Sequence, residues 1–250
     1  MIALKITALT NVGKVRKINE DCYAFGKADE KNGVFVIADG MGGHKAGKKA
    51  STMACETICK FISEKYDYNA SYEDEKIKDL LTKAIMKANT QIYNLACEDE
   101  ELKGMGTTAV VCIVRGDTLY VANVGDSRLY IIDNNNENIE QITVDHSYVQ
   151  ALVEKNVITK EEAYKHPQKN IITRAIGTDF SVQADIFKVS NVQGKRVLMC
   201  TDGLTNMLTD EQLLNLSKDQ TDIEVLKHEY TDLAMSNGGM DNITVLIAEI

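Results

Sequence analysis

The 250-residue chain has a single proline, Pro167, and neither an internal repeat nor a low-complexity tract. Nothing reads as a linker, so one domain spanning residues 1–250 is expected. No apolar run reaches the roughly 18 residues that would suggest a membrane span. Its first segment, MIALKITALTNVGKVRK, places no basic residues ahead of the apolar stretch, so no secretory signal is read and a cytoplasmic location is expected. Among the six cysteines, Cys22, Cys55, Cys59, Cys97, Cys112 and Cys200, none forms a CxxC pair and none stands six residues before an arginine. That excludes the C-x₅-R loop of thiol phosphatases and favours buried free thiols over a disulfide frame or zinc site. Positive charge is in deficit, 28 basic residues against 37 acidic, for a formal net charge of -9. A general nucleic-acid binder is therefore not expected, because the phosphate backbone would repel the chain.

What the chain has is apolar patterning. Hydrophobic residues make up 44% of it, enough for a substantial core. Ile2, Leu4, Ile6 and Ala8 alternate as in a half-buried strand, and GVFVIAD (33–39) is a short apolar run ending in an acid. Two helices are predicted next, one from about Ala46 to Lys65, the other carrying the stripe Ile77, Leu80, Leu81, Ala84, Ile85, Ala88, Ile92 and Leu95. A strand block follows (TTAVVCIVRG, DTLYVANVG, SRLYIID), and DNNNEN (133–138) reads as a hairpin turn. From Asp145 to Gln168 the pattern is helical. Strands are predicted near Val182–Val189 and Lys195–Thr201, and the segment closes on NITVLIAEI. Thr159, Thr209 and Thr221 each stand three residues before Glu or Gln, the spacing of a capping box. This order is not a regular βαβ alternation. It predicts an α+β layered sandwich with mostly antiparallel sheets.

Four acids stand at the ends of apolar strands beside a small or turn residue: Asp39 in VIADG, Asp126 in NVGDSR, Asp202 in MCTDG and Asp241 in GGMDN. A fifth site, Asn19-Glu20-Asp21, precedes the strand-like CYAF. An isolated Asp-Gly is usually only a turn. Five acidic sites at strand mouths are different, because carboxylates that converge there would repel and be costly to desolvate without cations. All-oxygen ligands favour Mg²⁺ or Mn²⁺, and Gly40 lets the backbone approach an ion and offer its carbonyl. Two such ions about 4 Å apart suit phosphate-ester hydrolysis, activating water and neutralising the ester's charge. Arg16, four residues before Glu20, has the fork a phosphate contact needs; by spacing alone it reads equally well as a solvated surface arginine.

The ordered segments VRKINED, VIADGMGGHKAG, GMGTTAV, ANVGDSRLY, Asp145-His146, NIITRAIG, TDGL and GGMDNIT resemble the motif set of the metal-dependent protein phosphatases of type 2C, most closely the small bacterial members. The resemblance implies a four-layer αββα sandwich with two central, mostly antiparallel sheets and a binuclear Mn/Mg centre. It implies that Asp39 bridges the ions, that Asp202 and Asp241 complete one, and that Glu20 and the Gly40 carbonyl hold the other. Asp21 would orient metal-bound water, Asp126 with Asp202 would hold a third, weaker ion, Arg16 would bind the substrate phosphate, and Asn242 would support the site. A mobile flap subdomain is implied at about 146–170. Substrates would be phosphoserine and phosphothreonine proteins, with a serine/threonine kinase as opposing partner, and a monomer is expected. Departures from the pattern are Met41, where animal members carry a proposed acid histidine, Asn11, Lys48 in place of a common Glu, and Asn156 in place of a common Gly. Met41 leaves the proton donor open; His44 is a candidate.

Two other readings compete. GGHKAGK (42–48) fits the spacing of a phosphate-binding P-loop, but Lys49 stands where Ser or Thr must ligate Mg²⁺, and Asp39 would repel a polyphosphate. The lysines of that segment read as a solvated helix face or as an attractor of acidic phosphopeptides. The alternative from another class is a catalytically silent, phosphatase-like binding protein, which would have lost metal ligands; here every expected position is filled.

Overall fold

The computed structural model describes residues 4–26, 29–43, 45–67, 70 and 72–250. Two of the residues read above, Ile2 in the first strand pattern and His44 as acid candidate, lie outside the described residues. The chain runs through β1 (Lys5–Asn11), β2 (Cys22–Phe25), β3 (Asn32–Ala38) and the two-residue β4 (Gly40–Met41) into helices α1 (Lys45–Lys65) and α2 (Asp74–Glu98). There follow β5 (Gly106–Thr107), β6 (Ala109–Arg115), β7 (Thr118–Val124), β8 (Arg128–Asp133) and β9 (Asn138–Gln141), then α3 (Tyr148–Glu154) and α4 (Lys160–Lys165). The remainder is β10 (Asp185–Ser190), β11 (Arg196–Cys200), α5 (Asp202–Thr205), α6 (Asp210–Asp219), α7 (Ile223–Ser236) and β12 (Ile243–Glu249).

Two five-stranded sheets form, ordered β1-β12-β11-β8-β9 and β10-β7-β6-β3-β2, and every pairing within them is antiparallel. The alternation of each strand divides its side chains between two apolar layers. Phe35, Ile37, Val110 and Cys112 of one sheet meet Leu129, Ile131, Met199 and Leu246 of the other in the layer between the sheets. The opposite face of the β3-β6 sheet is covered by α1 and α2 through Ala54, Ile58, Leu81 and Ile85. The outer face of the β11-β12 sheet is covered by α6 and α7 through Leu213, Leu226 and Tyr230. This is the αββα sandwich, with strands buried on both faces, and it explains why β3 and β6 read as continuous apolar runs.

Three local expectations are corrected. The stretch Asp145–Gln168 is not one helix but two short ones, because the chain breaks after Glu154 and restarts on Thr159, whose capping box is formed with Glu162. Thr209 likewise caps α6 with Gln212, whereas α7 is capped by Asp222, whose side chain accepts from the Glu224 N–H; Thr221 stands outside the helix. All six cysteines are free, but Cys97 is exposed and Cys22 only half-buried. The DNNNEN turn is a hairpin joining β8 to β9, held by Asp133 accepting from the Asn135 and Asn136 N–H groups.

Candidate metal centre

The strand register carries the five acidic sites to one edge of the sandwich. Cys22 pairs with Ala38, so Asp21 and Asp39 both lie just beyond the β2–β3 pair. Ala109 pairs with Val124, bringing Asp126 after β7 to the same edge. Cys200 pairs with both Val245 and Arg128, so Asp202 follows β11 beside the start of β12, which Asp241 precedes. Acids far apart in sequence thus meet because antiparallel neighbours begin where their partners end.

Threonines fix these acids. The Asp39 N–H donates to Thr108 Oγ1 at 2.9 Å, while the Asp39 carbonyl accepts from Thr107 Oγ1 at 2.8 Å and from the Thr108 N–H at 2.9 Å. Asp21 is buried, and its Oδ2 accepts from Thr244 Oγ1 at 2.7 Å and Thr201 Oγ1 at 2.9 Å. Asn206 donates to Asp202 Oδ2 at 2.9 Å. Asn242 accepts the Glu20 N–H and donates to the carbonyls of Val12 and Ile18, so it clamps the segment that carries Glu20 and Asp21. Ser51 of α1 donates to the Glu20 carbonyl. Arg16 reaches Asp241 Oδ2 at 2.8 Å, which places its guanidinium at the mouth of the acidic edge.

The electrostatics are those of acids crowded without enough positive charge. Burial, followed by Asp21, Asp202, Asp126 and Asp241, pushes the Asp39 carboxyl well above the usual carboxylate range. Burial pushes Asp21 up to about 7 against the opposing Thr244 and Thr201 hydrogen bonds, with Asp202 and Asp241 adding to the rise. Asp126 rises through burial and then Asp202, and Asp202 through burial and then Asp241. Every acid acting on Asp39 is one read from the sequence.

Among the described residues, no three acidic, histidine or cysteine side chains already close on a single point as a finished ligand set. Divalent cations nevertheless fit the site. Asp21 Oδ1 and Asp202 Oδ1 are buried with no hydrogen-bond partner, lone pairs that a hard cation or its water would satisfy. The backbone at Gly40 admits no side chain, since a Cβ there would meet the Gly47 carbonyl and lie 2.6 Å from the Glu20 carbonyl oxygen. Sequence reasoning missed the supporting threonines Thr107, Thr201 and Thr244, and Asn206. Thr107, Thr201 and Thr244 lie within GMGTTAV, TDGL and GGMDNIT, and Asn206 two residues beyond TDGL, but nothing in those segments marked them as partners of the acids.

Comparison with known proteins follows the same line. A family model described as Protein phosphatase 2C matches residues 14–235. The serine/threonine phosphatase stp of Listeria welshimeri is 38% identical over 240 residues, covering 96% of this chain and 93% of that protein. The crystal structure of the serine/threonine phosphatase Stp1 from Staphylococcus aureus superposes with a TM-score of 0.90 at 36% identity, covering 100% of this chain and 97% of that one. The catalytic domain of the serine threonine protein phosphatase PstP, in complex with two manganese ions, gives a TM-score of 0.84 at 30% identity, covering 100% and 99%.

Proposed function

The chain belongs to the protein phosphatase 2C family and is a serine/threonine protein phosphatase, and on that premise we propose that it hydrolyses phosphoserine and phosphothreonine at the acidic edge around Asp39. The family is metal-dependent. In this chain Glu20, Asp39, the Gly40 carbonyl, Asp202 and Asp241 would hold two Mn²⁺ or Mg²⁺ ions, with Asp126 and Asp202 serving a third. Bound there, the ions supply Lewis acidity that activates water and neutralises phosphate charge. The observation that carries this reading is the single carboxyl of Asp39, destabilised at once by four other acids.

The chain's own groups do the rest. Asp21, anchored through Oδ2 by Thr201 and Thr244, keeps Oδ1 available to orient the attacking water. Arg16 exchanges its Asp241 contact for a forked contact to the phosphoryl oxygens. Asn242 holds the Glu20 backbone in place from behind. Met41 has no proton to give, and its methyl packs toward Gly106, so the proton for the departing alkoxide has to come from another group.

Residues 146–170 form the flap of a single catalytic domain. Its Tyr164 hydroxyl donates to the Asn206 carbonyl, and Asn206 in turn holds Asp202, contacts that support a flap beside the acidic edge. Among the described residues no helix is long and apolar enough to cross a membrane. A cytoplasmic monomer opposing a serine/threonine kinase completes the reading. Hydrolysis of a phosphothreonine peptide with and without Mn²⁺ tests it: turnover should require the metal and vanish in Asp39→Asn. Metal-independent turnover, or an Asp39→Asn enzyme equal to the parent, would overturn it.

A further inference from the structure

The segment that imitates a P-loop is put to another use by the fold. Lys45, Lys48, Lys49, Thr52 and Met53 follow the three-and-four spacing of one helical face at the start of α1, and with Ile18 they line a groove of about 410 Å³. The groove adjoins the acidic centre, since Lys48 Nζ donates to the Asp21 carbonyl at 2.7 Å. The first turn of α1 contains no acid, and the first acid along the helix is Glu56. Helices ordinarily favour acids at this end, and each lysine here works against the helix dipole. Among the described residues, none of these three lysines is paired with a carboxylate, while Lys60 further along the same helix pairs with Glu64. On a chain of net charge -9, this face offers positive charge directly beside the acidic centre, where a substrate's flanking residues would pass.

We propose that this groove binds acidic side chains flanking the phosphorylated residue of the substrate. Lys45 and Lys49 meet the carboxylates, and Ile18 and Met53 receive the aliphatic stems. The inference rests on the phosphatase reading above and adds a sequence preference to it. An extended peptide advances about 3.3 Å per residue, so acids within a few positions of the phosphoresidue reach the groove.

The test compares phosphothreonine peptides with aspartate or glutamine flanks on the wild-type chain and on Lys45→Ala/Lys49→Ala, with each rate normalised to p-nitrophenyl phosphate turnover. The wild type should favour the acidic peptide in kcat/KM by roughly three- to tenfold, the gain from two exposed ion pairs. The preference should act through KM, fall with added salt, and disappear in the double variant. A wild-type ratio near one, or a ratio unchanged by the two substitutions, would overturn the groove while leaving the phosphatase reading intact. Groove-dependent binding to anionic lipid vesicles without any peptide preference would assign the lysines to a membrane surface and also overturn it. No turnover of p-nitrophenyl phosphate with Mn²⁺ would strike the phosphatase reading, and the groove inference with it.

Discussion

Asn242 accepts the backbone N–H of Glu20 at 2.8 Å, tying the approach to the last strand to a segment 222 residues earlier. The same side chain donates to Val12 and Ile18, so three backbone groups depend on one buried amide. Asn242→Ala is expected to lower stability by about 2–3 kcal/mol, since unsatisfied buried polar groups cost about 1–3 kcal/mol each and some will find water. Urea unfolding checks the loss, and Mn²⁺ titration should weaken in parallel because Glu20 is no longer held.

Asp39→Asn should separate stability from activity. Removing one carboxyl from among Asp21, Asp126, Asp202 and Asp241 relieves repulsion, so the metal-free variant should melt higher than the metal-free parent. A gain of about 1 kcal/mol corresponds to roughly 2–4 °C for a domain of this size. The upward shift on adding Mn²⁺ should shrink, and phosphatase activity should be lost. Thermal unfolding with EDTA and with Mn²⁺ measures both.

The acidic edge also fixes a pH dependence. Asp21 titrates near 7 in the fold against an ordinary 3.8, and Asp39, Asp126 and Asp202 are raised in the same direction. Between these values the folded state holds protons that the unfolded state has released, so the metal-free protein loses stability as pH rises from about 4 to 7. Mn²⁺ must compete with those protons, so its stabilising effect should grow over the same range. Denaturant midpoints at several pH values, with EDTA and with Mn²⁺, test the sign. A metal-free midpoint that rises with pH would contradict it.

Arg16 should matter for substrate and little for folding. Its pair with Asp241 is half exposed, and such pairs contribute about 0–1 kcal/mol. Arg16→Ala should therefore unfold within about 0.5 kcal/mol of the parent. Loss of a charge-assisted contact to phosphate, about 1.5–3 kcal/mol, predicts a drop of roughly ten- to a hundredfold in kcat/KM. Unfolding curves and steady-state kinetics on a phosphopeptide separate the two effects.

The layers and the acidic edge were legible in the sequence for the same reason. Apolar runs such as GVFVIAD and VLMCTD end in acids, and strands buried on both faces leave only their ends for polar chemistry. Antiparallel register then does the assembling without further instruction. The supporting threonines were hidden, because Thr201 just after β11 and Thr244 within β12 are ordinary residues of the sequence, and only the pairing of β11 with β12, Cys200 opposite Val245, turns both hydroxyls onto Asp21. The break of the 145–168 pattern after Glu154 was equally hidden. Neither proline nor glycine marks it; the chain turns instead through Asn156 at a positive φ of 55°. The Thr221 cap failed through local competition, since Asp222 one residue on is as good an N-cap and the helix starts from it.

The position of β12 has a temporal side. Although last to be synthesised among the described strands, it lies between β1 and β11, and Asp241 and Asn242 stand immediately before it. A nascent chain that has emerged only as far as α7 therefore has β1 without its neighbour, Glu20 without its clamp, and one acid fewer at the edge. A chain that stops after α7 is therefore expected to lack phosphatase activity, because Asp241, Asn242 and the strand between β1 and β11 all arrive after it.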